Sequence, residues 1–535
     1  MAGVVVEREG TGARIESSAR GAVPYVGIAL LTAVVWLALA RLGWAFLSGE
    51  LQWRYVAEQT RTGAPWPYRL AGVWGGMEGS LLLFAGIVGV AATWAARRAT
   101  TAVRWAALVT VAALVAVDLL LASPFGRLDV PAVGGFGLTP ILEHPAMTIH
   151  PPLLYAGLAA TLGAAMAALS ADQTSARRWL LVATGTLTAA MALGAAWSYL
   201  EQGWGGYWAW DPVENTSLLV WLAALAALHG VPGASTRVGV GMSALPWVLA
   251  VFGAVLVRSG TTPSIHGFAE QRGVGLALAV LAVATVAAVG TALVRVAAGV
   301  RPDDVPIRRD PRPVTVVLLA AALVVVLAGT LLPVLADVTG DRPAAVRGEF
   351  YSRTIGPLAL IGLPFLAARL RRRRGWSTVA HTGALVLLAG IAASTFDRVG
   401  TEPVAAGASA SIAGTSVVNR GVVVEDGPRP GTDAVAADLL VDGHRMRPKI
   451  VTYPERGGRL AEIAARPGFI TDVHAVLEGA SDVGGVTVTV HVRRGMWMVW
   501  LGALLVTTGT LGAATRRATS HPTVLHDRPD RAGSE

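Results

Sequence analysis

Apolar residues run in long stretches along most of this chain, separated by short polar or basic connections. That pattern predicts membrane-spanning helices rather than elements around a water-excluded core. About twelve stretches stand near the ~20 residues needed to cross a bilayer. They centre on residues 24–47, 76–95, 103–122, 151–170, 179–200, 214–229, 243–258, 273–298, 314–336, 352–370, 376–395 and 495–514, the sixth and seventh being the shortest. Between Asp397 and His491 the pattern changes to alternation, as in VTVTVHV and AADLLVDG, broken by Gly and Pro. Such a segment predicts strands. The expected fold class is an all-α polytopic membrane protein of about twelve transmembrane helices with a small β-rich external domain. Its expected divisions are an N-terminal tail (1–23), a membrane domain (24–395), the β-rich domain (396–492), a last helix (493–514) and a basic tail (515–535).

Composition agrees with this reading. Hydrophobic residues make up 53% of the 535 and charged residues only 15%, too few to coat a soluble domain of this size. A net charge of +9 raises the question of nucleic acid, but the arginines lie in patches between apolar stretches rather than along one face, which excludes it. They report orientation instead. Placing Arg371 to Arg374 in the cytoplasm puts Arg97, Arg98, Arg104, Arg177, Arg178, Arg301, Arg308, Arg309, Arg312, Arg516 and Arg517 there by alternation. Both termini are then cytoplasmic. Arg54, Arg61 and Arg69 fall on the outside, against the rule. The expected location is the plasma membrane of a prokaryote. Residues 1–23 lack the apolar core of a cleavable signal, so the first span is read as the targeting signal. There is no cysteine, so any sulfur chemistry uses a partner's thiol.

The candidate chemistry concentrates in Trp204 to Asn215, WGGYWAWDPVEN. Asp211, Pro212 and Glu214 form an N-cap, an N1 proline and an N3 acid, so DPVE opens a helix with a capping box and needs no function to explain it. The rings of Trp204, Tyr207, Trp208 and Trp210 are too densely placed in a glycine-loosened loop for an interfacial belt. They predict a surface for stacking a large planar ligand. Four histidines fall at two depths. His150, in IHPPLLYAG, and His266, in SGTTPSIHGF, lie at the outer face, and Pro151 predicts an extended backbone at His150 just before a helix. His229, in AALHG, and His381, in VAHTG, lie toward the cytoplasm. Two imidazoles at one depth suit the two axial positions of a haem iron.

WGGYWAWDPVEN resembles the tryptophan-rich WWD signature of haem-handling membrane proteins. Its VEN ending is similar to the CcmF branch, the cytochrome c haem lyases. VWGGMEGSLLL (73–83), LTPILEHPAMTIHPPLLYAG (138–157), FGAVLVRSGTTPSIHGFAEQRG (252–273) and AHTGALVLLAGIA (380–392) extend the resemblance along nearly the whole chain. The resemblance implies cytochrome c biogenesis. His150 and His266 would hold a substrate haem above the tryptophan loop, with Trp204, Trp208, Trp210 and Asp211 in the catalytic region. Trp204, Tyr207, Trp208, Trp210, Glu214 and Arg258 would bind the haem, Arg258 through a propionate. His229 and His381 would hold a permanent haem b that passes electrons from quinol to the outer haem. The product is a pair of thioethers between haem vinyls and the thiols of a CxxCH segment in apocytochrome c. Implied partners are a haem chaperone, thiol-redox and apocytochrome-binding maturation proteins, apocytochrome c and quinol.

The chain departs from the family pattern in Tyr207, where tryptophan is usual, and in Met77, where histidine is common. It is also read as shortened, lacking a span before residue 24 and about two between Ala336 and Trp376. Two other readings stay open: a haem exporter, which should show paired internal repeats and midplane polar residues, and a haem-handling protein without lyase activity. Asp118 is the one acid that looks buried within a span.

Overall fold

In a hydrocarbon layer each backbone N–H and C=O must be satisfied within its own segment, so an apolar stretch that crosses it folds as helix. The computed structural model describes residues 7–516 apart from 202, 204–205, 232–235, 261–263, 265–270, 300–311, 340–345, 347, 373–374 and 457. The helices are α1 (Glu7–Ser48), α2 (Arg54–Gln59), α3 (Trp66–Ala71), α4 (Met77–Ala96), α5 (Thr101–Leu121), α6 (Pro145–Leu169) and α7 (Gln173–Glu201). They continue as α8 (Pro212–Gly230), α9 (Thr236–Ser259), α10 (Arg272–Gly299), α11 (Arg312–Thr339), α12 (Gly348–Arg372), α13 (Trp376–Ala393) and α14 (Met496–Thr515). Among the described residues 12 helices are long and apolar enough to cross a membrane, all but α2 and α3. The short sixth and seventh stretches form spans of 19 and 23 residues. At the N-terminus helix begins at Glu7, so most of the segment expected as a polar tail continues α1.

α13 and α14 pack backbone to backbone. A Cβ on Gly383 would stand 2.5 Å from the Val506 nitrogen, and one on Gly390 would stand 2.7 Å from the Val499 nitrogen. Gly502 and Gly509 repeat the arrangement from the other side, against Leu387 and Ala380. Glycines seven apart on both helices let the backbones meet, the usual way to bind helices where lipid offers no hydrophobic drive.

Residues after α13 form ten strands: β1 (Arg398–Val404), β2 (Ser409–Ile412), β3 (Thr415–Asp426), β4 (Asp433–Val441), β5 (His444–Met446), β6 (Lys449–Tyr453), β7 (Gly458–Glu462), β8 (Ala464–Arg466), β9 (Thr471–Ala480) and β10 (Val486–Arg494). One sheet runs β1-β10-β9-β8. The other runs β2-β3-β4-β6-β7, with β5 on β4. Val417, Leu439 and Val441 meet Val473, Leu477, Val488 and Val490 in the core between them. β9 is buried on both faces from Asp472 to Leu477. Val473, Ala475 and Leu477 face that core, while His474 and Val476 face the end of α7 and Gly203.

The β domain is fastened to the bundle by Arg429. Its guanidinium, 7% exposed, pairs with Glu143 at 3.0 Å and donates to the carbonyl of Leu138 at 2.8 Å. Arg61 reaches the same carboxylate at 3.4 Å. Glu143 thus sits between two cations, immediately before α6.

Candidate functional site

α6 is opened by His144, whose ring nitrogen accepts from the Ala146 N–H at 3.1 Å, with Pro145 at the first helical position. Burial holds the His144 imidazole below its ordinary pKa, which keeps that acceptor lone pair available. His150 therefore lies inside the helix, not at an extended position before it as Pro151 suggested. Pro151 has no N–H for the carbonyl four residues back, that of Met147. The Trp74 indole donates to it instead, at 3.1 Å, so the helix tolerates its prolines.

His150 Nδ1 bonds the carbonyl of Ala190 at 2.7 Å. A carbonyl can only accept, so Nδ1 carries the proton and Nε2 the lone pair. The ring fits because residue 194 is glycine: a Cβ there would lie 2.7 Å from His150 Cε1. His150 lines a cavity of about 170 Å³ at the end of the bundle nearest the β domain, together with Trp74, Trp197, Trp208, Glu214 and Arg258.

The loop before α8 distributes its rings rather than stacking them into one platform. Trp208 lines the cavity, and its buried indole N–H has no hydrogen-bond partner among the described residues. Trp210 turns away in a left-handed backbone conformation (φ 58°) and stacks flat on Tyr351 of α12, ring centres 4.3 Å apart and planes 3° apart. Asn215 Nδ2 ties the two together, donating to the Trp210 carbonyl at 3.3 Å and to the Tyr351 hydroxyl at 3.2 Å. Tyr207 joins α13 instead, its hydroxyl 3.1 Å from the Ser394 hydroxyl, and burial raises its pKa above the ordinary phenol value. Trp204 and His266 lie outside the described residues.

The capping box is present as expected. Asp211 Oδ1 accepts from the Val213 N–H at 2.8 Å and from the Ser264 hydroxyl at 2.8 Å. Glu214 accepts from the backbone of Ala209 and Asp211 at 2.9 and 3.3 Å. Arg258, in the last turn of α9, is 5% exposed and turned to the cavity, its Nε without a partner among the described residues.

The other histidine pair does meet. His229 ends α8 and His381 opens α13, both at the end of the bundle opposite the β domain. Their ring centres are 6.1 Å apart with planes at 81°. Each Nδ1 bonds the carbonyl one turn back, Leu225 at 2.8 Å and Ser377 at 2.6 Å, so each lone pair sits on Nε2.

Sequence reasoning missed the polar junction between bundle and β domain. The Tyr199 hydroxyl donates to Asp472 at 2.8 Å and its ring lies 4.3 Å from that of His474. His474 pairs across the strands with His491, and Arg493 bridges to Asp397 at 3.0 Å. Burial, then the Arg493 charge, lowers the pKa of His474 to about 3 and of His491 to about 4. Glu143 and Arg429 were missed as well. Both lie in irregular segments with no periodic pattern to mark them, although Glu143 stands inside the LTPILEHP motif.

Residues 74–263 match the family model described as "Cytochrome C assembly protein", a span containing His150, the aromatic loop, His229 and Arg258. A relative in Escherichia coli (strain K12), "Probable cytochrome c-type biogenesis protein NrfE", is 30% identical over 94% of this chain and 96% of its own length. "Cytochrome c-type biogenesis protein CcmF" of the same organism is 29% identical over 87% of this chain and 88% of its own. Among solved structures, "Cytochrome c Heme Lyase CcmF" has the same fold, with a TM-score of 0.68 over 93% of this chain and 96% of that one at 22% identity. The identity to the NrfE relative, sustained over nearly the full length of both chains, shows that this chain belongs to the cytochrome c-type biogenesis family of the CcmF and NrfE type.

Proposed function

We propose that this protein is a haem lyase that binds haem at the end of the bundle next to the β domain and promotes its covalent attachment to apocytochrome c. That end is read as the outer face of the plasma membrane. The bonds formed are thioethers: each substrate S–H adds across a haem vinyl, sulfur to one carbon and hydrogen to the other, with no net change of oxidation state. A chain without cysteine has no thiol to compete. In this reading His150 is one axial ligand of the substrate haem and His266 the other, Trp208 faces the macrocycle, and Arg258 takes a propionate through its guanidinium fork. Trp210 and Tyr351 brace the loop from behind, and Asp211 and Glu214 hold the start of α8. Trp204 and Tyr207 complete the proposed haem-binding loop. A haem chaperone and thiol-redox maturation proteins would deliver the two substrates.

The observation that carries the reading furthest is the meeting of His229 with His381. Their ring centres lie only 6.1 Å apart, so the two imidazoles would hold one haem iron by their Nε2 atoms. Both Nδ1–H groups are spent on carbonyls, which is how ligating histidines are oriented. These residues fit a resident haem b. Bound there, it supplies one-electron redox chemistry, with quinol as donor and the substrate iron kept ferrous. His229 and His381 orient the lone pairs, and the close packing of α13 on α14 fixes the height of His381.

The test is the absorption spectrum of the protein purified from haem-replete cells. A bis-histidine haem b signal is expected without any substrate. His229→Ala or His381→Ala should abolish it, whereas His150→Ala should leave it intact and stop cytochrome c maturation. A haem-free wild-type preparation overturns the internal site. Loss of the internal signal on His150→Ala overturns the separation of the two sites.

A further inference from the structure

The loop between β8 and β9 carries two large apolar side chains into the open. Phe469 is 74% and Ile470 76% exposed, beside the point where the chain leaves the β domain and continues as α14. The loop is held at both ends. The N–H of Gly495, the last residue before α14, donates to the Ile470 carbonyl at 3.3 Å, and the Gly468 N–H donates to Asp472 Oδ1 at 2.9 Å. Glycine suits position 468 because a Cβ there would collide with the Thr471 carbonyl. The turn is a built feature that keeps its apolar tip outward.

What surrounds that tip is given by α14. The Phe469 ring stacks on that of Trp497, in the first turn of α14, with centres 5.0 Å apart and planes 14° apart. Trp497, Leu501 and Leu504 stand at i, i+4 and i+7 and form one exposed apolar stripe down the helix, while Gly502 and Gly509 pack against α13. Because α14 is long and apolar enough to cross a membrane, that stripe is its lipid-facing side. A tryptophan in the first turn of a span marks the interfacial level. Phe469 therefore stands on the lipid side of a span, at the depth of its interfacial ring. Phe396, just after α13, is exposed at the same end.

We infer that the β8–β9 loop is a membrane-inserting finger: Phe469 and Ile470 sit in the leaflet on the β-domain side, at the boundary of headgroups and acyl chains. Burying two large apolar side chains there removes them from water, the same gain that anchors amphipathic segments at a bilayer surface. The finger supports the β domain at a third point, besides Arg429 and Tyr199. Asp472 ties it to the second of these. One oxygen of its carboxylate accepts from Gly468 in the finger, and the other accepts from the Tyr199 hydroxyl of α7 at 2.8 Å. Leaflet and bundle thus hold the same end of β9, and the depth of the finger sets the height of the β domain over the cavity.

Because the chain has no cysteine, a single introduced thiol is the sole labelling site in the full-length protein. Phe469→Cys and Ile470→Cys, each carrying a nitroxide, are reconstituted in phosphatidylcholine nanodiscs holding one protein molecule apiece. Electron paramagnetic resonance then compares relaxation by oxygen, which partitions into lipid, with relaxation by a water-soluble nickel chelate. Leu504→Cys, on the exposed stripe of α14, calibrates lipid. Val483→Cys calibrates water: it is 85% exposed beyond the far end of β9, whose ten residues carry it about 30 Å from the finger. Both finger labels should relax several times faster with oxygen than with the chelate, as at Leu504→Cys, and Val483→Cys should show the reverse. Ile470→Cys leaves the Phe469 stack in place and decides the result where the two differ. Finger labels that follow Val483→Cys put the tip in water and overturn the inference. Labels shielded from both relaxers overturn it as well, since protein rather than lipid then covers the tip.

Discussion

At the scale of single residues, the aromatic loop separates side chains that touch the cavity from side chains that hold the loop. Trp208 faces the cavity with an indole N–H unpaired among the described residues, whereas Trp210 is locked on Tyr351 in a left-handed backbone conformation. For a residue other than glycine that conformation costs about 1 kcal/mol, held here by the stacking and by Asn215. Trp208→Ala is therefore expected to weaken haem binding and maturation while leaving thermal stability nearly unchanged. Trp210→Ala should lower stability by at least about 0.5–1.5 kcal/mol, since it removes a half-buried ring together with its stacking on Tyr351. A haem titration paired with a melting curve distinguishes them, and equal effects of both changes on both readouts would refute the division. Asp211→Asn retains a capping oxygen and is expected to cost under about 1 kcal/mol, with maturation preserved. If it abolished maturation in a folded protein, the carboxylate would have a chemical role beyond capping.

Elements were legible wherever their cause is local. Twelve apolar stretches became twelve spans, and the DPVE cap formed as written, because both depend on residues within a few positions of one another. The arginines that break the positive-inside rule find their explanation only in the folded chain. Arg61 pairs with Glu143, and Arg69 donates to the carbonyls of Ala64 and Leu47. The dispersal of the aromatic rings was illegible for the same reason: Tyr351, which claims Trp210, lies far away in sequence on α12. The glycine pairs of α13 and α14 lie between these cases, visible as spacing but uninterpretable without knowing which helices meet. Their consequence is testable. Gly502→Val forces apart the backbones that set the height of His381, and overpacking of this kind costs about 1–3 kcal/mol. The internal haem signal should fall sharply, whereas Gly273→Ala, in open space at the start of α10, should leave it intact. An unchanged haem spectrum in Gly502→Val would show that α14 does not position the ligand.

Across the whole molecule, the β domain and the membrane bundle are joined by polar contacts between residues hundreds of positions apart. Arg429 meets Glu143 across 286 residues, and Tyr199 meets Asp472 across 273. Removing one partner of a buried ion pair strands the other, so Glu143→Ala is expected to cost about 3–5 kcal/mol. Because Glu143 directly precedes the helix carrying His150, the loss should appear first as weaker haem binding at that end. The second contact makes the junction sensitive to acid. His474 titrates near 3 in the docked protein, through burial first and the Arg493 charge second. A detached domain would relieve part of the burial and let it rise toward its ordinary value of about 6.5, though Arg493 of the same domain stays beside it. Between those values the detached state binds more protons, so docking keeps its full stability above about 6.5 and loses it progressively as pH falls. His491, lowered to about 4, acts in the same direction. Asp397, raised by burial despite its pairing with Arg493, works the opposite way at lower pH and narrows the window to mildly acid conditions. Hydrogen exchange along β9, corrected for the intrinsic rate, should therefore quicken between neutrality and about pH 5. His474→Phe, which keeps a ring against Tyr199 but cannot be protonated, should reduce that dependence. If exchange in the wild type stays flat over this range, the histidine pair does not control docking, and the domain is held by contacts that do not titrate there, Arg429 with Glu143 and Tyr199 with Asp472.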